Sequence, residues 1–258
     1  MQPLTLSLIQ AATHWHDPAA NRAMFDGYLA EVPEAAELVV LPEMFSTGFT
    51  MASRETAEPM TGPTVAWMRR SAAAYGRTLC GSVVIEDGGA CYNRFLWVAP
   101  DGGVTTYDKR HRFRMAGEHE HYAAGTRRCV VRLREWRILP LVCYDLRFPV
   151  WLRNRGDYDL LLAVANWPAA RQEAWNALLR ARAIENQAFA AGVNIVGTDG
   201  NAVAYGGGTA VYDPEGTALL EAGDDAGVFT VTLDREGLEA FRQRFPVWQD
   251  ADDFELAR

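Results

Sequence analysis

The 258-residue sequence has no apolar run long enough to span a bilayer, no excess of positive charge and few cysteines. Its 25 Lys and Arg residues against 33 Asp and Glu residues give a net charge of −8, which argues against nucleic acid and anionic membranes as partners. The N-terminal segment is apolar only in alternation and has no basic region, so it predicts a strand and not a signal peptide. Four widely spaced cysteines in a chain of this size predict a reduced, cytoplasmic protein.

Motifs for common metals and cofactors are also missing from the sequence. His119 and His121 alternate with carboxylates, but there is no HExxH motif and no Cys/His set with zinc spacing. The run 206–208 of three glycines fits neither the dinucleotide-binding nor the P-loop pattern. We therefore predict no metal and no cofactor, and we interpret the segment around His119 as a polar loop.

Strand-like and helix-like segments alternate along the chain, which predicts an α/β fold in one domain over residues 1–258. The predicted strands are 4–11, 37–41, 78–86, 91–98, 104–108, 136–143, 159–165, 193–198, 209–212 and 228–233. The predicted helices are one capped by Asp17 and stopped by Pro33, one over 64–75 closed by Gly76, and a long one over 170–189. The turn 100–103 recurs as 213–216, so the two halves resemble each other. Two facing sheets with helices outside satisfy this pattern, and so does a single doubly wound sheet.

Three reactive side chains stand where apolar strands end, the place where open α/β folds build their sites. Glu43 follows the strand 37–41, and burial there would raise the pKa of its carboxyl group and make it a better base near neutral pH. Lys109 follows a strand where its ammonium group could stabilise an oxyanion or lower the pKa of a thiol. Cys143 ends a strand at a predicted turn into a helix, where hydrolases expose their nucleophile.

Each of these residues alone has an ordinary structural explanation, since buried cysteines, carboxylates at strand ends and surface lysines are common. Together they supply a base, a cation and a nucleophile, the three roles that acyl transfer needs.

The segments LPEMF (41–45), YDKRHRF (107–113) and LVCYDLRFP (141–149) resemble, in order and spacing, the Glu–Lys–Cys motifs of the nitrilase superfamily of carbon–nitrogen hydrolases. The resemblance covers nearly the whole chain, including RARAIENQ (180–187). Within the superfamily it is greatest to the ω-amidases, which hydrolyse the terminal amide of α-keto acid amides, and it extends to FPVWQDADDF (245–254). It implies a four-layer αββα sandwich, internally pseudo-symmetric, that forms a homodimer.

The resemblance also implies a role for each matched residue. Glu43 is the general base, and Cys143 forms a thioester intermediate with release of ammonia. Lys109 holds the oxyanion together with the backbone N–H of Tyr144. Glu118 is expected to position the lysine or the substrate amide, because it fits the family pattern that continues with Tyr122 and Gly125, whereas Glu120 does not.

Substrate specificity is expected to depend on side chains around Cys143. Arg147 lies four residues after the nucleophile and could pair with a substrate carboxylate or with Asp145. Aromatic residues that could wall the pocket are Phe45, Tyr144 and Trp167.

The favoured function is hydrolysis of a small carboxylate-bearing amide, with that amide and water as the partners. A nitrile or an N-carbamoyl compound as substrate would use the same three residues. Two further hypotheses are a non-catalytic binding protein on this fold and a thiol redox sensor, in which Cys91 or Cys129 would resolve an oxidised Cys143.

Overall fold

A computed structural model describes residues 2–256 of the chain. The strands are β1 (Leu4–Gln10), β2 (Leu38–Val40), β3 (Thr78–Asp87), β4 (Ala90–Val98), β5 (Val104–Asp108), β6 (Val131–Leu133), β7 (Trp136–Val142), β8 (Leu160–Val164), β9 (Phe189–Val193), β10 (Val196–Thr198), β11 (Ala204–Gly206), β12 (Ala210–Tyr212), β13 (Ala218–Glu221) and β14 (Gly227–Leu233). The α-helices are α1 (Pro18–Glu31), α2 (Ser53–Thr56), α3 (Pro63–Tyr75), α4 (Glu118–His121), α5 (Pro149–Leu152), α6 (Gln172–Asn186) and α7 (Arg235–Arg244). Within residues 2–256, no helix has the length and apolar character needed to cross a membrane.

Two six-stranded sheets in the described chain repeat the same arrangement. The first has the order β14-β1-β2-β3-β4-β5, and the second has the order β6-β7-β8-β9-β12-β13. In both, successive neighbours pair antiparallel, parallel, parallel, antiparallel and antiparallel. The recurring turns predicted at 100–103 and 213–216 join β4 to β5 and β12 to β13, which are equivalent positions. The predicted internal pseudo-symmetry is therefore visible in the pairing.

The burial of β2 shows how the layers are stacked. Leu38 and Val40 lie in the core that the two sheets share, whereas Val39 and Leu41 pack in a second core with Phe25 of α1 and with α3. Both faces of this strand are buried, which explains its uninterrupted apolar sequence. On the other side of the molecule, α6 packs against β9 and β12. The order is helices, sheet, sheet, helices, so the predicted αββα sandwich is confirmed and the single doubly wound sheet is excluded.

The long helix predicted over 170–189 is wrong at its C-terminal end. The helix α6 stops at Asn186, Gln187 adopts a left-handed φ of +45°, and Phe189 begins strand β9. Strand β9 also begins before residue 193, where the sequence predicted the next strand, and close packing requires one of its small residues. A Cβ atom on Gly192 would lie 2.6 Å from the ring of Trp175 in α6.

Candidate active site

Cys143 stands at a sharp turn between strand β7 and a 3-10 helix that ends at Arg147. Its φ of +46° lies in the left-handed region, which residues other than glycine rarely adopt. The turn places the partly buried Cys143 at the carboxyl end of strand β7, where it lines a cavity. This is the position that the predicted elbow requires.

Buried side chains hold this turn in place. Asp145 accepts hydrogen bonds from the backbone N–H of Val142 at 3.1 Å and from the hydroxyl of Tyr107 at 2.8 Å. Arg182, which lies in the RARAIENQ segment of α6, donates two hydrogen bonds to the carbonyl of Leu146, at 3.0 and 2.8 Å. Because both side chains are buried, the position of Cys143 depends on the packing of α6 and β5 as well as on β7.

Lys109 lies between two carboxylates in the interior. Its Nζ is 2.9 Å from Oε1 of Glu43 and 2.9 Å from Oε1 of Glu118, and all three side chains are at most 1% exposed. Burial alone would lower the pKa of Lys109, but the two negative charges outweigh it and hold that pKa above its ordinary value. The lysine is therefore a permanent cation at neutral pH.

The carboxylate of Glu43 is fixed by donors on both of its oxygens. Oε1 accepts from the amide of Asn93 at 2.7 Å in addition to Lys109, and Oε2 accepts from the backbone N–H of Asn166 at 2.8 Å. The side-chain amide of Asn166 in turn donates to the carbonyl of Glu43 at 3.0 Å. Glu43 follows β2 and Asn166 follows β8, so these hydrogen bonds join the two sheets at the site.

The thiol of Cys143 is expected to be protonated at rest. Burial raises its pKa well above the ordinary value, the negative charge of Glu43 raises it further, and Lys109 only partly opposes this. A thiol is a poor nucleophile, so attack requires a neighbouring base to take the proton. Glu43 is the carboxylate whose charge affects this thiol most.

The second glutamate of the cluster is Glu118, whereas Glu120 is exposed. Burial raises the pKa of Glu118 above its ordinary value against the opposing charge of Lys109. The segment predicted as a loop contains the short helix α4, and the backbone N–H of Phe113 donates to the second oxygen of Glu118. Gly125 has a steric role, because a Cβ atom there would lie 1.9 Å from the carbonyl oxygen of Asp108.

A small cavity that is open to solvent lies over Cys143. Its lining residues are Phe49, Lys109, Phe113, Cys143, Tyr144, Arg147, Asn166, Trp167, Pro168 and Arg171. Two of the three predicted aromatic wall residues, Tyr144 and Trp167, are among them.

The third predicted wall residue, Phe45, does not line the cavity, so this prediction is wrong. It is fully buried and packs edge-on against Phe25, with ring centroids 5.5 Å apart, in the core beneath the outer helices. Met44 before it has a φ of +42°, so the side-chain alternation of the preceding strand does not continue through this turn. Phe49 takes the place expected for Phe45, and Nζ of Lys109 lies 5.2 Å from its ring centroid.

Two arginines line the cavity through contacts with aromatic rings. The guanidinium of Arg147 lies 4.7 Å from the ring centroid of Trp167, and that of Arg171 lies 5.2 Å from the ring centroid of Phe113. The indole N–H of Trp167 also donates to the carbonyl of Arg171 at 2.8 Å. Among residues 2–256, no Asp or Glu oxygen lies within 4.0 Å of either guanidinium, so the alternative ion pair between Arg147 and Asp145 is not formed.

The remaining cysteines and histidines are arranged differently from Cys143. All four cysteines are free thiols, and Cys80, Cys91 and Cys129 are not among the residues that line the cavity. In the part of the chain that the structure describes, no three His, Cys, Asp or Glu side chains are grouped so that they could hold a metal ion.

The sequence interpretation missed Asn166 and Arg171. Asn166 carries the same signal that identified Glu43, a polar side chain directly after the buried strand β8. Arg171 lies in an irregular connection before α6, and nothing in its sequence context distinguishes it from a surface arginine.

Comparisons with known proteins agree with this geometry. A family model described as carbon–nitrogen hydrolase matches residues 5–243. The Omega-amidase YafV of Yersinia enterocolitica is 49% identical over 99% of this chain and 100% of its own length. The 2-oxoglutaramate amidase of Bacillus subtilis is 29% identical over 95% of this chain and 96% of its own length. The crystal structure of a CN-hydrolase superfamily protein from Xanthomonas campestris, which has an arsenic adduct in its active site, is similar with a TM-score of 0.98 at 48% identity and covers 100% of both chains.

Proposed function

Because the chain belongs to the carbon–nitrogen hydrolase family of the nitrilase superfamily, and so is a hydrolase of carbon–nitrogen bonds, we propose that it is a cysteine-dependent ω-amidase. It removes the terminal amide of a small carboxylate-bearing substrate such as α-ketoglutaramate or α-ketosuccinamate. The observation that carries the proposal is the composition of one cavity, where Cys143 lies beside the Glu43–Lys109 pair. Two guanidinium groups that pair with no carboxylate among residues 2–256 line the same cavity. The names of the two amidase relatives support the same substrate class.

The chemistry begins with proton transfer from Sγ of Cys143 to Glu43 as the sulfur attacks the amide carbon. The carbonyl π electrons move to oxygen, where Lys109 and the backbone N–H of Tyr144 stabilise the negative charge. Collapse of this intermediate breaks the C–N bond, and the departing nitrogen takes the proton from Glu43 to leave as ammonia. The acyl group remains on Cys143 as a thioester.

The second half of the reaction returns the enzyme to its starting state. Water attacks the thioester carbon while Glu43 takes one of its protons. The C–S bond then breaks, and Glu43 returns that proton to Sγ, which gives the carboxylic acid, the thiol of Cys143 and the carboxylate of Glu43. Glu118 acts by holding Lys109 in position, because its carboxylate binds the ammonium group and its charge affects the thiol of Cys143 less than that of Glu43 does. It is therefore a positioning residue.

The carboxylate of the substrate is placed at the arginine end of the cavity. Arg147 and Arg171 are held by aromatic faces, and no described carboxylate neutralises them. Guanidinium groups bind carboxylates with paired N–H donors, so a substrate with an acid group is favoured over a neutral amide. Trp167 contacts both arginines and keeps this end of the cavity ordered.

A substrate panel tests the proposed activity. Ammonia release is measured with α-ketoglutaramate, the neutral amide propionamide, a small nitrile and an N-carbamoyl amino acid. We expect turnover of the keto acid amide at least tenfold faster than of the neutral amide. Turnover of the nitrile or the carbamoyl compound alone would replace the ω-amidase proposal by that alternative, and no turnover of any of them would favour the binding protein.

Substitutions test the assignment of the nucleophile and base. Cys143→Ala and Glu43→Gln are each expected to abolish hydrolysis while the protein remains folded. Cys80→Ala is the matched control, because Cys80 is buried between the sheets and its loss leaves only a small cavity. It should lower the unfolding free energy by about 1 kcal/mol and leave turnover unchanged. Normal turnover by Cys143→Ala would refute the mechanism.

Three further expectations belong to this proposal. We expect residues 1–258 to fold as one domain, to form a homodimer and to act in the cytoplasm. Light scattering at micromolar concentration tests the dimer, and a monomer with full activity would contradict it. A single cooperative unfolding transition tests the single domain.

A further inference from the structure

We propose that Asn166 binds the scissile group of the substrate, with its Oδ1 accepting a hydrogen bond from the NH₂ group of the amide. The inference rests on the proposed amidase function. It makes Asn166 the residue that distinguishes amides from substrates without an N–H group.

The donors of Asn166 are used, but its acceptor is not. The backbone N–H donates to Oε2 of Glu43 and the side-chain NH₂ donates to the carbonyl of Glu43, at 2.8 and 3.0 Å. Oδ1 is buried and has no hydrogen-bond partner among residues 2–256. A buried acceptor without a partner is costly and rare in folded proteins, which calls for a functional explanation.

The orientation of the Asn166 amide follows from its surroundings. If Nδ2 and Oδ1 were exchanged, Oδ1 would lie against the carbonyl oxygen of Glu43, and two acceptors would face each other without a proton. The observed orientation therefore leaves Oδ1 as the free atom. Asn166 is 3% exposed and is one of the residues that line the cavity above Cys143. Since no described residue donates to Oδ1, the proposal assigns the donor to a molecule bound in that cavity.

The chemistry of the missing partner follows from the site. An amide nitrogen carries two N–H donors, whereas a nitrile nitrogen and an ester oxygen carry none. Asn166 also touches the catalytic base directly, so an amide nitrogen held by Oδ1 lies near the carboxylate that returns the proton to it. A site built around a buried acceptor discriminates strongly against analogues that lack the donor.

The test compares an amide with an ester of the same acid in one protein sample. We measure kcat/KM of wild type and Asn166→Ala with α-ketoglutaramate and with the corresponding ω-methyl ester. The substitution should lower kcat/KM for the amide about 10- to 100-fold more than kcat/KM for the ester, because only the amide donates to Oδ1. The ratio of the two rates does not depend on the folded fraction of the variant, so partial unfolding cannot produce the effect.

Asn194→Ala is the matched control variant. Asn194 is also a buried asparagine, and it orders the same loop by accepting from the backbone N–H of Trp167 at 2.7 Å and donating to its carbonyl at 3.0 Å. It does not line the described cavity, so its loss should change amide and ester turnover by the same factor. If Asn166→Ala lowers kcat/KM for both substrates by the same factor, the proposed role of Asn166 is refuted, while the amidase proposal is unaffected. A wild-type protein without ω-amide turnover would overturn the amidase proposal and this inference together.

Discussion

Replacing Lys109 with methionine should reveal how strongly the buried cation stabilises the fold. The substitution shortens the unbranched side chain by one atom and removes the charge that lies 2.9 Å from both Glu43 and Glu118. Neither carboxylate is exposed, so water cannot replace the lost ammonium group. The protein then has to bury two negative charges side by side or bind a proton.

Protonation is the less costly of these two outcomes, so its cost sets the expected loss of unfolding free energy. Protonating one carboxylate at pH 7, against an ordinary pKa of about 4.3, costs about 4 kcal/mol at about 1.4 kcal/mol per unit. This agrees with the cost of about 3–5 kcal/mol for removing one partner of a buried ion pair. In the variant the folded pKa of Glu118, which burial already raises, is expected to rise further above its unfolded value because the opposing charge of Lys109 is gone. The loss of stability should therefore be nearly absent below pH 4 and grow as the pH rises towards 7.

Urea unfolding of wild type and Lys109→Met at pH 5, 6 and 7 measures this cost. We expect a loss of about 1 kcal/mol at pH 5 that grows to about 4 kcal/mol at pH 7. The control is the double variant Lys109→Met/Glu118→Gln, which leaves a single carboxylate with its Asn93 and Asn166 donors and should show a much weaker pH dependence. Both variants should be inactive. A cost independent of pH would refute the reasoning, because it would mean that lost packing, and not charge, explains the effect.

Two other predictions concern stability away from the site. Asp159 accepts from Arg137, Arg235 and Arg242, and these hydrogen bonds outweigh burial and hold the pKa of its carboxyl group well below the ordinary value. Asp159→Asn should lower the unfolding free energy by about 3 kcal/mol at pH 7, and the difference from wild type in urea unfolding should shrink below pH 4. Gly192→Ala should cost about 1–3 kcal/mol because its Cβ would overlap Trp175, whereas Gly27→Ala in α1, with open space around it, should be neutral or stabilising in thermal unfolding.

The strand ends could be predicted from sequence because the reasons for them are local. Continuous apolar runs followed by a polar side chain mark the places where buried parallel strands leave the core, as at Glu43 and Cys143. The prediction fails where a long-range contact decides the structure. The predicted helix runs on to residue 189 and the next predicted strand begins at residue 193, whereas pairing with β8 makes Phe189–Val193 a strand.

The aromatic walls show the same limit on a smaller scale. Phe45 and Phe49 belong to one turn, and their sequence contexts are equally apolar. Which of them faces the cavity depends on backbone angles within the turn, including the positive φ of Met44. Hydrophobic periodicity carries no information through such a segment, because successive side chains no longer alternate between two faces.

The relation between Glu43 and Asn166 explains why the site could be assembled only in part from sequence. The strands β2 and β8 hold equivalent places in the two sheets, and each is followed within three residues by one of these side chains. One half of the pseudo-symmetric fold supplies the carboxylate of Glu43, and the other half supplies Asn166. The backbone N–H of Asn166 donates to that carboxylate, and its side-chain amide donates to the backbone carbonyl of Glu43. The sequence of each strand predicts a polar residue at its end. The contact between these two residues, however, joins positions 123 apart in the sequence and forms only when the two sheets face each other. The orientation of the Glu43 carboxylate is therefore a product of the sandwich and not of either sheet alone.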